Sequence, residues 1–480
     1  MIISKTDFIA YLDAPRHLWA IKHNKLTSLE ISAFLRHLVK QGDDVEILAE
    51  KYIHKILMPK YGISIDDVIL QPTHIDGSFQ ARIDVLIRNP RTKKWDMYEI
   101  KSSLKIDSTH IYDITFQYLV FKEKYEIGDK YIIHLNNKYV RKGEIELDKL
   151  FEVENVNEDV DLLKDKVWEL RNEALFVAQT ENFTEVLNCI RPKDCPCLSI
   201  CHPNLPNYSI YDINNLTGTE SKIRKLEKMG VKSIYDVPND FILSTKQRFQ
   251  IEVAQSQKIY INNTKIQNEL NKLNFPLYFL DYETFNPAIP LYNNYKPYQH
   301  ITFQYSLHVK ATPTSEYKHY EFIETNKVDP IPNLIASLRK NIGESGSIIV
   351  WYKPFETLRT KEMGELYPEF KDFCKNIVYR IYDLMNIFKK QYYLDSLTKG
   401  SCSIKQVLPT MAPDLSYKDM EIAEGATAMT SWNKMVYDKR LTEEQTNKFK
   451  NDLLKYCELD TLAMVRIYEK LYSMINDRLE

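Results

Sequence analysis

Residues 189 to 201 read CIRPKDCPCLSIC and gather four of the chain's seven cysteines; Cys374, Cys402 and Cys457 lie scattered downstream. The run is rich in proline as well as cysteine, which marks a domain edge more than the interior of a regular element. The N-terminus, MIISKTDFIAYLDAPRHLW, has no apolar segment behind a basic start, and no stretch of 18 uncharged apolar residues occurs anywhere. The expected setting is therefore cytoplasmic, with no membrane partner. Disulfides rarely persist there, so a tight cysteine cluster reads as a metal site. Cys189, Cys195, Cys197 and Cys201 can close a tetrahedral thiolate set by themselves, with His202 as a further donor. Thiolates suit an iron-sulfur cluster or zinc, and either would serve structure, pinning the segment in place of a larger hydrophobic interface.

At 480 residues the chain is too long for one ordinary core, and roughly 100 to 200 residues per domain suggests two or three domains. A net charge of -2 excludes a broadly basic protein and confines any nucleic-acid site to a local groove. Residues 1–205 read as an α/β domain: a helical pattern from Ile31 to Leu57, strands FQARIDVLI and WDMYEIK, then a helix from His110 to Tyr125. Residues 206–270 read as a helical connector, in which Gly230 of KIRKLEKMGVKSIYDVP suits a turn between two small helices. Residues 271–480 read as a second α/β domain, opening on the apolar strand FPLYFLDYETF and closing on a helix from about Glu443 to Ile475.

In ARIDVLIRNPRTKKWDMYEIKSS, Ala81, Ile83, Val85 and Ile87 alternate with Arg82, Asp84 and Leu86, which puts Asp84 on a strand facing away from the apolar side. NPRTKK supplies a hairpin turn, and on the returning strand Glu99 and Lys101 share a face. Two carboxylates can hold a hard divalent cation, and the nearby ammonium can orient water or stabilise charge on a phosphate. The stretch resembles the PD-(D/E)xK nucleases of the RecB-like, CRISPR-associated type. That resemblance implies a restriction-endonuclease-like domain in which Glu46 of QGDDVE, with Gly42 before it, joins Asp84 and Glu99 as a metal ligand. Lys101 would be the catalytic amine, and Gln117, in YDITFQYLVF with Asp113, an orienting group.

Many nucleases of this type hold a [4Fe-4S] cluster with one cysteine near the N-terminus, in YLxCPRxxW, and three after the nuclease core. Here the segment is YLDAPRHLW, and Ala14 stands where the first ligand is expected. Cys189, Cys195 and Cys201 match the three later ligands, and Cys197 suggests a relocated fourth. The resemblance puts an iron-sulfur cluster first, zinc second and a metal-free remnant third.

In PLYFLDYET, Asp281 and Glu283 project together from the end of a strand, and Tyr456 and Asp460 are four apart on a helix, hence on one face. A D-x-E pair followed far downstream by Y-x3-D resembles the DEDDy exonucleases of the RNase H-like fold. That resemblance implies two Mg or Mn ions roughly 4 Å apart, held by Asp281, Glu283, Asp460 and a middle carboxylate, with Tyr456 positioning water. The middle motif departs from the family's N-x-x-F-D: WYKPFE supplies Glu356, with Lys353 near the usual Asn, and Asp383 of RIYDLM is a supporting carboxylate. YQHITFQYSLH, GSCSIKQVLP and YCELDTLAMV further resemble an uncharacterised bacterial family that joins a RecB-like nuclease to a YprB-like, RNase H-like domain.

The expectation is a metal-dependent nuclease, a hydrolase of phosphodiester bonds acting as an exonuclease on single-stranded DNA or RNA ends. No G-x-x-x-x-G-K-[ST] loop is present, so any unwinding would need a helicase partner. The turn at Gly230 could grip phosphates through its amides. Two rivals stay open: one living site with the other domain as a nucleic-acid clamp, or a non-enzymatic binding protein.

Overall fold

A computed structural model describes residues 1–26, 33–418 and 420–476. The chain forms two compact units: residues 1–204 with 287–299, and residues 205–286 with 300–480. Residues 206–270, read above as a separate connector, group with the second unit.

Among its described residues unit 1 contains eight strands: β1 (Ile3–Ser4), β2 (Val68–Leu70), β3 (Thr73–Asp76), β4 (Phe79–Arg82), β5 (Val85–Arg88), β6 (Trp95–Lys101), β7 (Ile127–Leu135) and β8 (Phe151–Asn155). The main sheet runs β2-β5-β6-β7-β8, with β6 and β7 parallel and its other pairs antiparallel; β1, β4 and β3 form a small second sheet. Both faces of the main sheet are buried. Leu86, Met97 and Ile132 enter one core with the Ser108–Phe121 helix, while Val85, Ile87, Tyr98 and Ile133 enter another with the Ala33–Tyr52 helix.

The single strand expected across Asp84 is broken. Ala81 and Ile83 belong to the first core and Val85 and Ile87 to the second, so the alternation changes face at Asp84, which lies between β4 and β5. Backbone pairing explains the break: Ile83 N–H donates to Pro72 O (3.1 Å) and Gln71 N–H to Asp84 O (2.8 Å), drawing the chain away from regular pairing. The expected hairpin turn is present, with Asn89 Oδ1 accepting from the amides of Arg91 and Thr92 between β5 and β6. The loop 287–299 packs in unit 1. Ala288 is buried in the second core, and the Arg141 guanidinium donates to the carbonyls of Pro290 and Leu291, each at 2.9 Å.

Unit 2 is built on β10 (Leu277–Phe285), following a short β9 (Tyr260–Ile261), and on β11 (Ile301–Lys310), β12 (Tyr317–Ile323), β13 (Ser347–Val350), β14 (Ile381–Asp383) and β15 (Tyr393–Leu394). Its sheet runs β12-β11-β10-β13-β14; β10 pairs antiparallel with β11 and parallel with β13. The 34-residue helix Glu443–Asn476 supplies Tyr456 and Asp460. Gly230, at φ 76°, ends the Glu220–Lys228 helix, and its N–H donates to Glu227 O, which accounts for glycine at a left-handed position. No helix among the described residues is long and apolar enough to cross a membrane.

Candidate functional site

In unit 1, β6 delivers Glu99 and Lys101 to one side, and the helix behind it, capped by Asp107, delivers Asp113 and Gln117. Lys101 Nζ lies 2.8 Å from Glu99 Oε1 and 2.5 Å from Asp113 Oδ2; Gln117 Nε2 donates to Glu99 Oε2 (2.9 Å) and Asp113 Oδ1 (3.0 Å). A second ammonium, absent from the sequence reading, completes the cluster: Lys5 Nζ lies 2.9 Å from Glu99 Oε1 and 3.6 Å from Asp113 Oδ2. Burial alone would raise the Glu99 carboxyl, but Lys101 and Lys5 outweigh it and hold it down to about 2. Asp84 behaves oppositely. Burial, reinforced by the charge of Glu99, pushes it up to about 8, although Ile100 N–H donates to its Oδ2 at 2.7 Å. Glu46 Oε1 accepts from Gln71 Nε2 at 2.7 Å, and the Gln71 N–H donates to Asp84 O. Gly42 lies on the same Ala33–Tyr52 helix, with open space around it.

In unit 2, four carboxylates gather, Glu283, Glu356 and Asp460 buried and Asp281 half-buried: Asp281 and Glu283 stand at the end of β10, and Glu356 in the first turn of the Lys353–Leu366 helix. Burial raises all four. Asp460 adds to the effect at Asp281, Asp281 at Glu283, and Asp281 with Glu283 at Glu356. Asp460 is raised only to about 6, because the Tyr417 hydroxyl donates to its Oδ1 at 2.6 Å and Lys405 and Tyr456 also favour its charge. Glu356 Oε2 is buried with no hydrogen-bond partner among the described residues. The thiol of Cys457 lies 3.7 Å from Asp281 Oδ2, and Asp281, Glu283 and Cys457 each place a donor atom within 4.8 Å of the other two. Asp383 lies on β14 with its Oδ1 buried and without a hydrogen-bond partner among the described residues, while Lys353 Nζ donates to Ile381 O.

The cysteine loop folds against the Pro15–Lys22 helix. Ala14 is buried with Cys189, Cys197 and Cys201. Cys195 Sγ lies 3.4 Å from His17 Nε2, Cys189 Sγ 3.3 Å from His202 Nε2, and Cys197 Sγ 3.6 Å from Cys201 Sγ. The cluster favours charge on Cys189, lowered by its sulfur neighbours and by His17 and His202, while Cys195, Cys197 and Cys201 are pushed up beside it.

Residues 278–403, which include Asp281, Glu283 and Glu356, match a family described as "Domain of unknown function (DUF2779)". The chain is also similar to "Uncharacterized protein MG366" of Mycoplasma genitalium, at 28% identity over 251 residues covering 48% of this chain and 37% of that protein. It thus spans well under half of that relative's length. A solved structure described as "Crystal structure of SSO0001" aligns with 43% of this chain and 87% of its own, at 16% identity and a TM-score of 0.27, too low to argue from.

Sequence reasoning missed Lys5, Tyr417, Cys457 and His17. Cys457 carried a faint signal, as the neighbour of Tyr456 on a helix whose face was already singled out. The others reach their sites from remote segments, where spacing says nothing.

Proposed function

We propose that the chain is a metal-dependent nuclease that hydrolyses phosphodiester bonds, with one candidate site in each unit and single-stranded DNA or RNA ends as substrate. The observation that carries this reading is the cluster of Asp281, Glu283, Glu356 and Asp460, in which Glu283, Glu356 and Asp460 are buried, Asp281 and Glu283 place oxygens within 4.8 Å of one another, and Asp281, Glu283 and Asp460 all act on the charge of Glu356. Like charges buried together are costly without a cation, and the orphaned Glu356 Oε2 is a buried acceptor with no hydrogen-bond partner among the described residues. The all-oxygen carboxylate set suits Mg or Mn. Asp281, Glu283, Glu356 and Asp460 would hold the metal, which when bound would activate water and stabilise the leaving oxygen. Tyr456 and Tyr417 orient Asp460 and offer hydroxyls beside it.

In unit 1 we assign Asp84 and Glu99 to a cation, with Glu46 completing the set from its place beside Gln71, and Lys101 to the phosphate charge. Gln117 fixes the rotamers of Glu99 and Asp113. The Gly230 turn is proposed as a backbone contact to phosphate, and a helicase as the source of single strands.

One observation favours a second reading, in which unit 1 clamps nucleic acid and unit 2 cuts. Lys5 and Lys101 already neutralise Glu99 and Asp113, whereas among the described residues the cations that act on the four carboxylates of unit 2, Lys405 and Arg359, form no ion pair with them.

The test incubates the full chain with end-labelled single- and double-stranded DNA and RNA, with Mn, with Mg or with chelator. Metal-dependent shortening of a labelled single strand is expected. Binding without turnover on every substrate would leave a docking protein in place of a nuclease.

A further inference from the structure

The cysteine loop meets a nitrogen donor from the far end of its own unit. One donor atom each from His17, Cys189, Cys195 and Cys201 lies within 4.8 Å of all the others. Ligands of a single tetrahedral zinc, with Zn–S about 2.3 Å and Zn–N about 2.0 Å, stand within roughly 4 Å of one another. The thiolates of a cubane iron-sulfur cluster each rest on a different iron and must stand farther apart.

The histidine is held for the task. Its Nδ1 lies 2.8 Å from Asp13 Oδ2, the carboxylate pairing that fixes a ligating imidazole and leaves Nε2 facing the metal. The turn carrying it is tied to the cysteine segment by Arg16, which donates to Val186 O (2.9 Å), Ile200 O (3.2 Å) and Cys201 O (3.1 Å). Trp19 Nε1 donates to Thr180 O at 2.7 Å. Ala14 cannot ligate. His17 follows it in the first turn of the Pro15–Lys22 helix, its N–H donating to Ala14 O at 2.9 Å.

We propose that His17 Nε2 with Cys189, Cys195 and Cys201 binds one tetrahedral divalent metal of the zinc class, the histidine replacing the thiolate that Ala14 lacks. Cys197, whose Sγ lies beside that of Cys201, is not one of the four ligands. The centre joins the first helices to the segment after the main sheet. The proposal rests on reading the cysteine loop as a metal centre and is independent of the nuclease reading.

The test measures metal and sulfide content and the X-ray absorption of anaerobically purified full-length protein, beside His17→Ala, His17→Cys and Cys197→Ser. One zinc per chain with three sulfurs and one nitrogen is expected. His17→Ala should weaken zinc retention against a chelator by about 100-fold. His17→Cys should keep the metal and convert the shell to four sulfurs, and Cys197→Ser should change neither. Zinc held by four sulfurs, indifferent to His17→Ala and lost in Cys197→Ser, would remove His17 while sparing the metal centre. Several irons with matching sulfide, or no retained metal, would overturn the mononuclear centre itself.

Discussion

Glu99 shows how one buried carboxylate can be kept charged. Two ammonium groups and an amide converge on it, and each offsets part of the cost of burial. Lys5→Met is expected to lower stability by about 1–2 kcal/mol, because it leaves Lys101 as the remaining cation against Glu99 and Asp113. Urea unfolding at neutral pH checks this, and an unchanged midpoint would remove Lys5 from the cluster. Glu356 makes the opposite case. Its Oε2 has no partner and its charge is opposed by Asp281 and Glu283, so Glu356→Gln should stabilise the metal-free protein by about 1 kcal/mol. The same variant should lose most of the stabilisation that Mn confers. A loss of stability in chelator would contradict the unfavourable-burial account.

Among the elements, β10 and the β5–β6 hairpin were legible because their signals are local. Period-two alternation placed Asp281 with Glu283 and Glu99 with Lys101, and Asn89 marked the turn. The break at Asp84 was not legible, since alternation continues through it in the sequence. Only pairing with Gln71 and Pro72 reveals that the face changes. Loop 287–299 was equally hidden. Nothing in PAIPLYNNYKPYQ announces that it docks on the core containing Val45 and Phe151, or that Arg141 holds it. Arg141→Ala removes three charge-assisted hydrogen bonds to backbone, two of them to the loop, worth about 1.5–3 kcal/mol each at most. Amide exchange across residues 287–299 should accelerate at least ~10-fold, with β6 and β7 unchanged. Uniform acceleration over unit 1 would mean that the loop is not held locally.

For the whole molecule, the proposed reading of the carboxylate sets makes stability depend on pH and metal together. Asp460 sits at about 6 and Asp84 at about 8, both above the ordinary aspartate value of roughly 4 expected in the unfolded chain. The native chain then holds protons that the unfolded chain releases, so metal-free stability falls as pH rises from about 4 through those two values. A cation removes the penalty of ionisation. Mn should therefore raise the melting temperature more near pH 8 than near pH 5, where protons compete for the same oxygens. An equal rise at both would place the metal elsewhere. At this scale the sequence supported two α/β bodies with an acidic constellation in each, because both constellations rest on short-range spacing. His17, Lys5 and Tyr417 stayed invisible because they reach their partners only through tertiary packing.

The most direct test compares Mn-dependent cleavage of end-labelled single strands by wild type, Lys101→Ala and Asp281→Asn, each first shown to be folded. Two working centres predict that each variant loses a different part of the activity, with Asp281→Asn cutting terminal shortening by roughly 100-fold or more. Full activity in both variants would contradict the account.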